Sequence, residues 1–383
     1  MSRRWYTEDH KIFQDSARKF MEKEVVPNIE HWDEEGAIPR ELWRKMGENG
    51  FLCSWMPEEY GGSGTDFSYS VVVDEEMART TCTSLTTGVR VHSIIVAPYV
   101  LKLANEELKK QILPGCVSGD VIMAVGMTEP GCGSDLAQLK TTALKDGNDY
   151  VINGQKTFIS NGINCDWVVL AVRTDPKAEP AHKGVSLILV PAGTPGFSKG
   201  RRLNKMGIHA QDTSELIFED CRVPQSYLMG QEGRGFKYLM EELQRERLSA
   251  VLGAPVLAQR MLEMTLEYTK SRMVFGKPVS SHQYNAFKLA EMATEVELAR
   301  TLVDSLIEDF LEGKDITMRV SMCKWWATEM VNRLAYQCVQ LHGGYGFMEE
   351  YPICRIYRDV RMQTITAGTS EIMKRIIAGM LGV

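Results

Sequence analysis

The sequence predicts an α+β chain that is mainly α: an N-terminal helical domain, a central antiparallel β domain and a C-terminal four-helix bundle. Two observations predict it. Apolar residues recur at helical spacing through the first third and again from about Gly235 to the end. Between them the chain breaks into short β-branched runs separated by Gly, Pro, Asn and Asp. Those runs do not alternate with helices, which argues against a nucleotide-binding βαβ sheet. The domains are expected at 1–120, 121–228 and 229–383.

In chain order, "DHKIFQDSARKFMEKEVV" sets Ile12, Phe13, Ala17, Phe20, Met21 and Val25 on one helical stripe, which Pro27 ends or bends. "PRELWRKMGENG" is a second helix, with Pro39 near its start and Gly50 at its end. "EYGGSGTD" is a loop, and residues 68–104 and 105–119 supply further helices. Strands are expected in "VIMAVGMTE", "YVINGQKTFIS", "DWVVLAVRT", "GVSLILVPA" and "SELIFEDCRV". The bundle should open with one long helix, "YLMEELQRERLSAVLGAPVLAQRMLEMTLEYTKSRM", and close with the helix that follows "ITAGTSEIMK". A small-residue turn running into a helix start exposes backbone N–H groups and suits an anion, though an ordinary cap looks the same.

The bulk properties exclude several classes. A chain of 383 residues calls for two or three sub-domains. Net charge of −6 does not suggest a nucleic-acid surface, and no apolar run has the length of a bilayer span. The nine cysteines are odd in number and include no C-x-x-C, so reduced thiols are expected. No metal site is expected, since the seven histidines show no metal-ligand spacing. There is no P-loop and no G-x-S-x-G elbow, and "GCGSD" lacks the third glycine of a dinucleotide fingerprint. The N-terminus lacks the apolar core of a secretory signal. The expected location is bacterial cytoplasm, or the mitochondrial matrix for a trimmed organellar chain.

Four motifs stand out on this plan: "MAVGMTEPGCGSDLAQLKT" at a strand end, "KTFISNG" on a strand leading to a turn, "SRMVFGKP" at a helix end, and "QLHGGYGFMEEYP" after a helix. Together and in this order they resemble the acyl-CoA dehydrogenase family of flavoproteins, over nearly the whole chain. The resemblance implies FAD held between the β domain and the bundle. It implies flavin contacts from Val125, Met127, Thr128, Gly133 and Ser134, with Ser134 also meeting the CoA part of the substrate. Phe158, Ile159 and Ser160 would lie beside the isoalloxazine; most relatives have Trp before that site, so Phe158 is a departure. Arg272 matches the arginine on the FAD pyrophosphate, whose fork suits phosphate oxygens. Phe275 and Gln283 match neighbouring cofactor contacts. Gln340, Leu341, Gly343 and Gly344 match a turn that touches the FAD of an adjacent subunit. Thr369, Ser370 and Glu371 match the loop on the adenosine half, with Ala367 and Gly368 on the substrate side.

The chemistry implied is removal of an α-proton from a thioester and transfer of a β-hydride to flavin N5, which requires a carboxylate base. Most relatives carry that Glu where this chain has Ala367. A subgroup with the long-chain and isovaleryl enzymes carries it on the first long helix of the bundle, and Glu246 in "EELQRERLSA" matches it. Glu241 and Glu242 share that helix and should be ion-pair or surface residues. Arg247 matches a residue kept beside the site, with a structural ion pair as the competing role. Gln244 and Arg245 are expected to line the substrate channel, with Lys237 and Tyr238 as further candidates. The partners implied are an acyl-CoA, electron-transfer flavoprotein and three further copies in a homotetramer. Same-fold alternatives are an oxidase, an acyl-carrier-protein dehydrogenase and a flavin monooxygenase; a dead helical scaffold is the alternative from another class. The acyl chain stays open between straight long-chain, branched and dicarboxylic thioesters. Arg90, in "TTGVRVHSIIVAP", would either read a substrate carboxylate, or point outward, or pair with Asp74 or Glu75.

Overall fold

The computed structural model describes residues 3–383. The first helix, α1 (Glu8–Phe20), buries Ala17, and its stripe continues through Met21 and Val25 in a π turn. A 3-10 turn holding Pro27 then bends the chain into α2 (Ile29–Glu35), which the sequence reading lacked. α3 (Arg40–Glu48) follows Pro39, and Gly50 ends the turn beyond it at φ 71°. α4 (Phe67–Arg79) is capped by Asp66, whose carboxylate accepts from the Ser68 N–H at 2.8 Å. α5 (Thr83–Val89) runs through a π-helical stretch, Arg90–Val96, into α6 (Ala97–Leu103), and α7 (Glu106–Ser118) closes the helical part.

The central sheet contains β1 (Met123–Gly126), β2 (Thr142–Asp146), β3 (Asp149–Ser160), β4 (Trp167–Arg173), β5 (Val185–Pro191), β6 (Phe197–Arg202), β7 (Thr213–Pro224) and β8 (Leu228–Met229). The order is β6-β7-β3-β2-β4-β5-β8, with β1 added on β4. The antiparallel expectation needs two corrections: β1 runs parallel to β4, Met123 beside Trp167 through Gly126 beside Leu170, and β2 meets β4 in parallel where Thr142 lies beside Arg173. β1 enters from α7 and leaves into the long 127–141 loop, so no hairpin forces it antiparallel. β2 and β6 were missed because "TALKD" and "FSKGRR" are too polar to read as half-buried strands. The sheet is pinned to the helices by buried His92. Its Nδ1 accepts from the Met123 N–H at 3.2 Å, so Nε2 carries the proton and donates to the Cys116 carbonyl at 2.9 Å. Burial pushes this imidazole down to about 4, so it stays neutral.

The C-terminal part also departs from expectation. The predicted single opening helix is two, α8 (Gly235–Ser249) and α9 (Ala254–Ser271). Pro255 in the first turn of α9 has no N–H to continue a helix. Gly253 lies where a Cβ would come within 2.7 Å of Ala78 and 2.8 Å of Arg90. A small hairpin, β9 (Met273–Val274) and β10 (Lys277–Pro278), precedes α10 (Gln283–Leu311), α11 (Thr317–His342), α12 (Pro352–Val360) and α13 (Ser370–Leu381). The four-helix bundle is therefore built on α9, α10, α11 and α13, with α8 as a separate arm. α9, α10 and α11 share a core of Met261, Leu262, Met292, Val303, Cys323 and Met330, joined by Phe67 and Val71 of α4 and by Ile94. All nine cysteines are unpaired, and only Cys354 is not buried. No helix among the described residues is long and apolar enough to cross a membrane. No group of side chains there could hold a metal ion.

Candidate active site

α8 carries three carboxylates with three different environments. Glu241 is exposed and pairs with Lys237 at 3.4 Å. Glu242 is buried at its base, bonded to Lys102 of α6 and 3.8 Å from Arg245. Glu246 is only 6% exposed and has no cation bonded to it among the described residues. Its Oε1 accepts from the Tyr99 hydroxyl at 2.7 Å. Burial, opposed by the Tyr99 bond and Arg247 and aided by the charge of Glu242, raises its pKa to about 7. A carboxylate so placed is ionised in half the molecules near neutrality, as a general base requires. Tyr99 was missed, because a Tyr in the apolar run "APYVL" reads as core.

The neighbours on α8 each have a different environment. Gln244 turns to the start of α11, its Oε1 accepting from the Ile316 N–H at 3.0 Å. Arg245 lies within 5.7 Å of the Trp55 ring, 6.0 Å of Phe67 and 5.8 Å of Phe310, and burial lowers its pKa. Arg247 is 5% exposed, and its Nε has no hydrogen-bond partner among the described residues. That orphaned donor points to a group from outside the chain. Tyr238 accepts at its hydroxyl from the Gln231 N–H at 3.1 Å. Arg90 is engaged already: Nη2 donates to Asp74 at 2.7 Å and Nε binds the other oxygen of the same carboxylate. Asp74 is fully buried, so Arg90 takes the internal-pair alternative rather than reading a substrate carboxylate.

The loop after β1 is held by a second buried cluster. Lys156, with no exposed surface, donates to the Met127 carbonyl at 3.1 Å and to Glu129 at 2.7 Å. Glu129 also accepts from the N–H groups of Lys140 at 2.6 Å and Thr141 at 2.9 Å. The Thr157 N–H donates to the Thr128 carbonyl at 2.9 Å, tying the loop to β3. Val125 lies half-buried in β1, while Gly133 and Ser134 are exposed beyond the clamp. Directly after Lys156 the register of β3 against β7 slips, and Phe158 stands 68% exposed at φ 59°. A bulky residue held at positive φ is strained, and such strain gathers at functional sites. Ile159 and Ser160 resume the ladder opposite Ser214 and Thr213.

The remaining predicted residues form two groups. Arg272, Gln340, Leu341, Gly343 and Gly344 line one pocket of about 580 Å³, with Tyr345 under the Arg272 guanidinium at 5.7 Å. Phe275, at the tip of the β9–β10 hairpin, is 97% exposed at φ 48°, and Gln283 opens α10 on the exposed surface. At the other group, Ala367 (φ 53°) and Gly368 (φ 90°) make a left-handed turn into α13. Thr369 caps that helix by accepting from the Ile372 N–H at 3.3 Å. Ser370 is buried, its hydroxyl donating to Glu329 at 2.9 Å, and Glu371 is exposed. The Ser370 side chain is thus committed within the chain, leaving its backbone for any ligand.

A buried carboxylate poised near neutrality suits proton abstraction, and the comparisons place the chain among the oxidoreductases. The chain belongs to the acyl-CoA dehydrogenase family, enzymes that dehydrogenate acyl-CoA: the family's N-terminal domain matches residues 7–120, its middle domain 124–221 and its C-terminal domain 233–382. In particular, it is 46% identical over 377 residues to the mitochondrial long-chain specific acyl-CoA dehydrogenase of Sus scrofa, covering 98% of this chain and 87% of that one. It is 39% identical over 377 residues to the acryloyl-CoA reductase (NADH) of Anaerotignum propionicum, covering 97% and 94% of the two. The crystal structure of an acyl-CoA dehydrogenase from Geobacillus kaustophilus superposes with a TM-score of 0.98 at 53% identity, over all of both chains. The family is one of flavoproteins.

Proposed function

We propose that the protein oxidises a straight long-chain acyl-CoA to its trans-2-enoyl-CoA, with Glu246 as the base that takes the α-proton. The observation that carries this reading is the Glu246 carboxylate: buried, with no salt-bridge partner among the described residues, and raised to about 7. The residues suit FAD. Arg272 presents a guanidinium with no carboxylate partner among the described residues. A Cβ added at Gly133, Gly343 or Gly344 would meet nothing within 4 Å, which leaves backbone open to a large ligand. Bound FAD supplies the acceptor for the β-hydride.

This chain's own part is to bind and orient. Glu246 in its ionised form receives the α-proton, and Tyr99 steadies the carboxylate through its hydroxyl. Arg247 offers its unsatisfied Nε to a bound group. Residues 127–134 and Phe158–Ser160 frame one face of the cofactor site, and Ala367–Gly368 face the thioester. Electrons would leave to electron-transfer flavoprotein, in a homotetramer. The straight-chain substrate rests on the 46% identical relative and on the Arg90–Asp74 pair, which leaves Arg90 no free fork for a dicarboxylic substrate.

The test is anaerobic flavin bleaching with acyl-CoA thioesters of varied length, branching and terminal charge. Long straight chains should bleach fastest. Glu246→Gln should keep fold and FAD and lose about 10²–10⁴ in rate, since an amide cannot accept the proton. Turnover within threefold of the parent protein in that variant overturns the assignment of the base. Ala367→Glu in the same background should restore part of the rate.

A further inference from the structure

Lys324 lies in the apolar middle of α11, has no exposed surface, and donates from its ammonium to the Gly368 carbonyl. That neutral oxygen is its one hydrogen-bond partner among the described residues. Burying an ammonium against a carbonyl alone is unfavourable. Burial, with the nearby Arg247 adding to it and Glu329 and Glu371 opposing, pushes Lys324 down to about 8. A lysine in such a place is a poor contributor to stability, so what it holds is the more informative feature.

It holds a strained turn. Ala367 at φ 53° is a residue with a Cβ in left-handed backbone, and Gly368 follows at φ 90°. A Cβ on Gly368 would come within 2.6 Å of the Met373 side chain, so the turn is packed as well as bent. α11 grips it on both sides of Thr369: Lys324 takes the Gly368 carbonyl, and Glu329 takes the Ser370 hydroxyl at 2.9 Å. The same lysine feels the charge of Arg247, which in turn faces Glu246. The grip thus connects the turn to the arm that carries the base.

We infer that Lys324 is a positioning residue of the active site, fixing the Ala367–Gly368–Thr369 turn through the Gly368 carbonyl so that its backbone meets the thioester and the cofactor in the reactive geometry. This rests on the proposed function in taking Ala367 and Gly368 as substrate-facing. Without the donor, the carbonyl turns to water and Ala367 relaxes toward right-handed backbone. A misplacement of about 1 Å at a reacting centre can cost about 10²-fold in rate.

The test uses the holoenzyme with Lys324→Met and Lys324→Arg, and two readouts. Hydrogen exchange of peptides covering 365–373 needs no substrate, so it judges the grip separately from the proposed reaction. Steady-state kcat and KM with palmitoyl-CoA judge the catalytic consequence. In Lys324→Met, exchange within 365–373, where the Ile365, Thr366, Ile372 and Met373 amides are hydrogen-bonded, should rise at least about tenfold while the rest of α11 stays protected. The kcat should fall about 10²-fold with KM held within about threefold. Lys324→Arg, which keeps a donor, should recover most of both. Unchanged exchange at 365–373, kcat within threefold of the parent, or loss of protection spread evenly over α11 would each overturn the inference. If Met at this position prevents folding, Lys324→Gln is read by the same measurements. Should no thioester bleach the parent protein, the proposed reaction fails, and the exchange result alone decides whether the grip exists.

Discussion

At the scale of single residues, the decisive contrast is between Glu242 and Glu246, one helical turn apart on α8. Glu242 reaches Lys102 and is neutralised; Glu246 reaches only a phenol hydroxyl. Burial therefore acts on Glu246 with no cation hydrogen-bonded to it, and lifts it to about 7 against the weaker pull of the Tyr99 hydroxyl and Arg247. The kcat/KM profile should rise with pH through an apparent pKa near 7. Because the Tyr99 bond favours the ionised form, Tyr99→Phe should move that limb to higher pH by about one unit, read from kcat/KM against pH. Stability follows the opposite sign. A carboxylate whose folded pKa is raised is favourable to folding when protonated, and that advantage is lost as pH climbs from about 4.5 through about 7. Glu246→Gln should thus be more stable than the parent at pH 8, by on the order of 3 kcal/mol, and no different below pH 4. Thermal melts at the two pH values check it. Arg90→Ala should strand the buried Asp74 and cost about 3–5 kcal/mol in urea unfolding, without changing the preference between simple and dicarboxylic thioesters.

At the scale of elements, two devices turn ordinary helices and strands into a site. α4 buries three consecutive acids, each fastened to a different segment: Asp74 to Arg90, Glu75 to Arg3, and Glu76 to Arg18. It therefore ties the N-terminal segment, α1 and the π-helical stretch to one axis. The other device is the clamp from β3 onto the loop after β1. Lys156 and Glu129 satisfy one another and three backbone groups in a dry setting. Removing one partner leaves the other buried and unpaired. Lys156→Met should loosen residues 127–134, and FAD should dissociate at least about tenfold more readily, measured by flavin fluorescence on dilution. Retention of FAD equal to the parent protein would contradict that role for the clamp.

At the scale of the whole molecule, one face carries a group of exposed aromatics. Phe275 is 97% exposed, Tyr284 71% and Phe287 58%, all near the β9–β10 hairpin and the start of α10. Arg272 and the 340–344 turn open beside them. Exposed aromatics grouped with an unpaired arginine suit contact with another copy and with a cofactor shared between copies. Phe275→Asp should weaken assembly and lower FAD content together. Light scattering and the flavin-to-protein absorbance ratio check this; a smaller assembly with full FAD would separate the two.

Read alone, the sequence determined the helix–sheet–helix plan, because periodicity of apolar residues is a local signal and each element repeats it several times. It also offered the candidate carboxylates of "EELQRERLSA", among which only the family resemblance singled out Glu246. The tertiary structure decided matters that depend on residues distant in the chain. The break between α8 and α9 comes from Gly253 packing against Ala78 and Arg90. The parallel placement of β1 depends on β4, more than forty residues on. Glu246 differs from Glu242 only because Tyr99 faces one and Lys102 the other, from 147 and 140 residues away. Nothing local to Lys324 or Lys156 in the sequence indicates the carbonyls that the fold brings to them. Local pattern records which face of an element is buried, but the charge and hydrogen-bond state of a buried group is set by what the rest of the chain places against it.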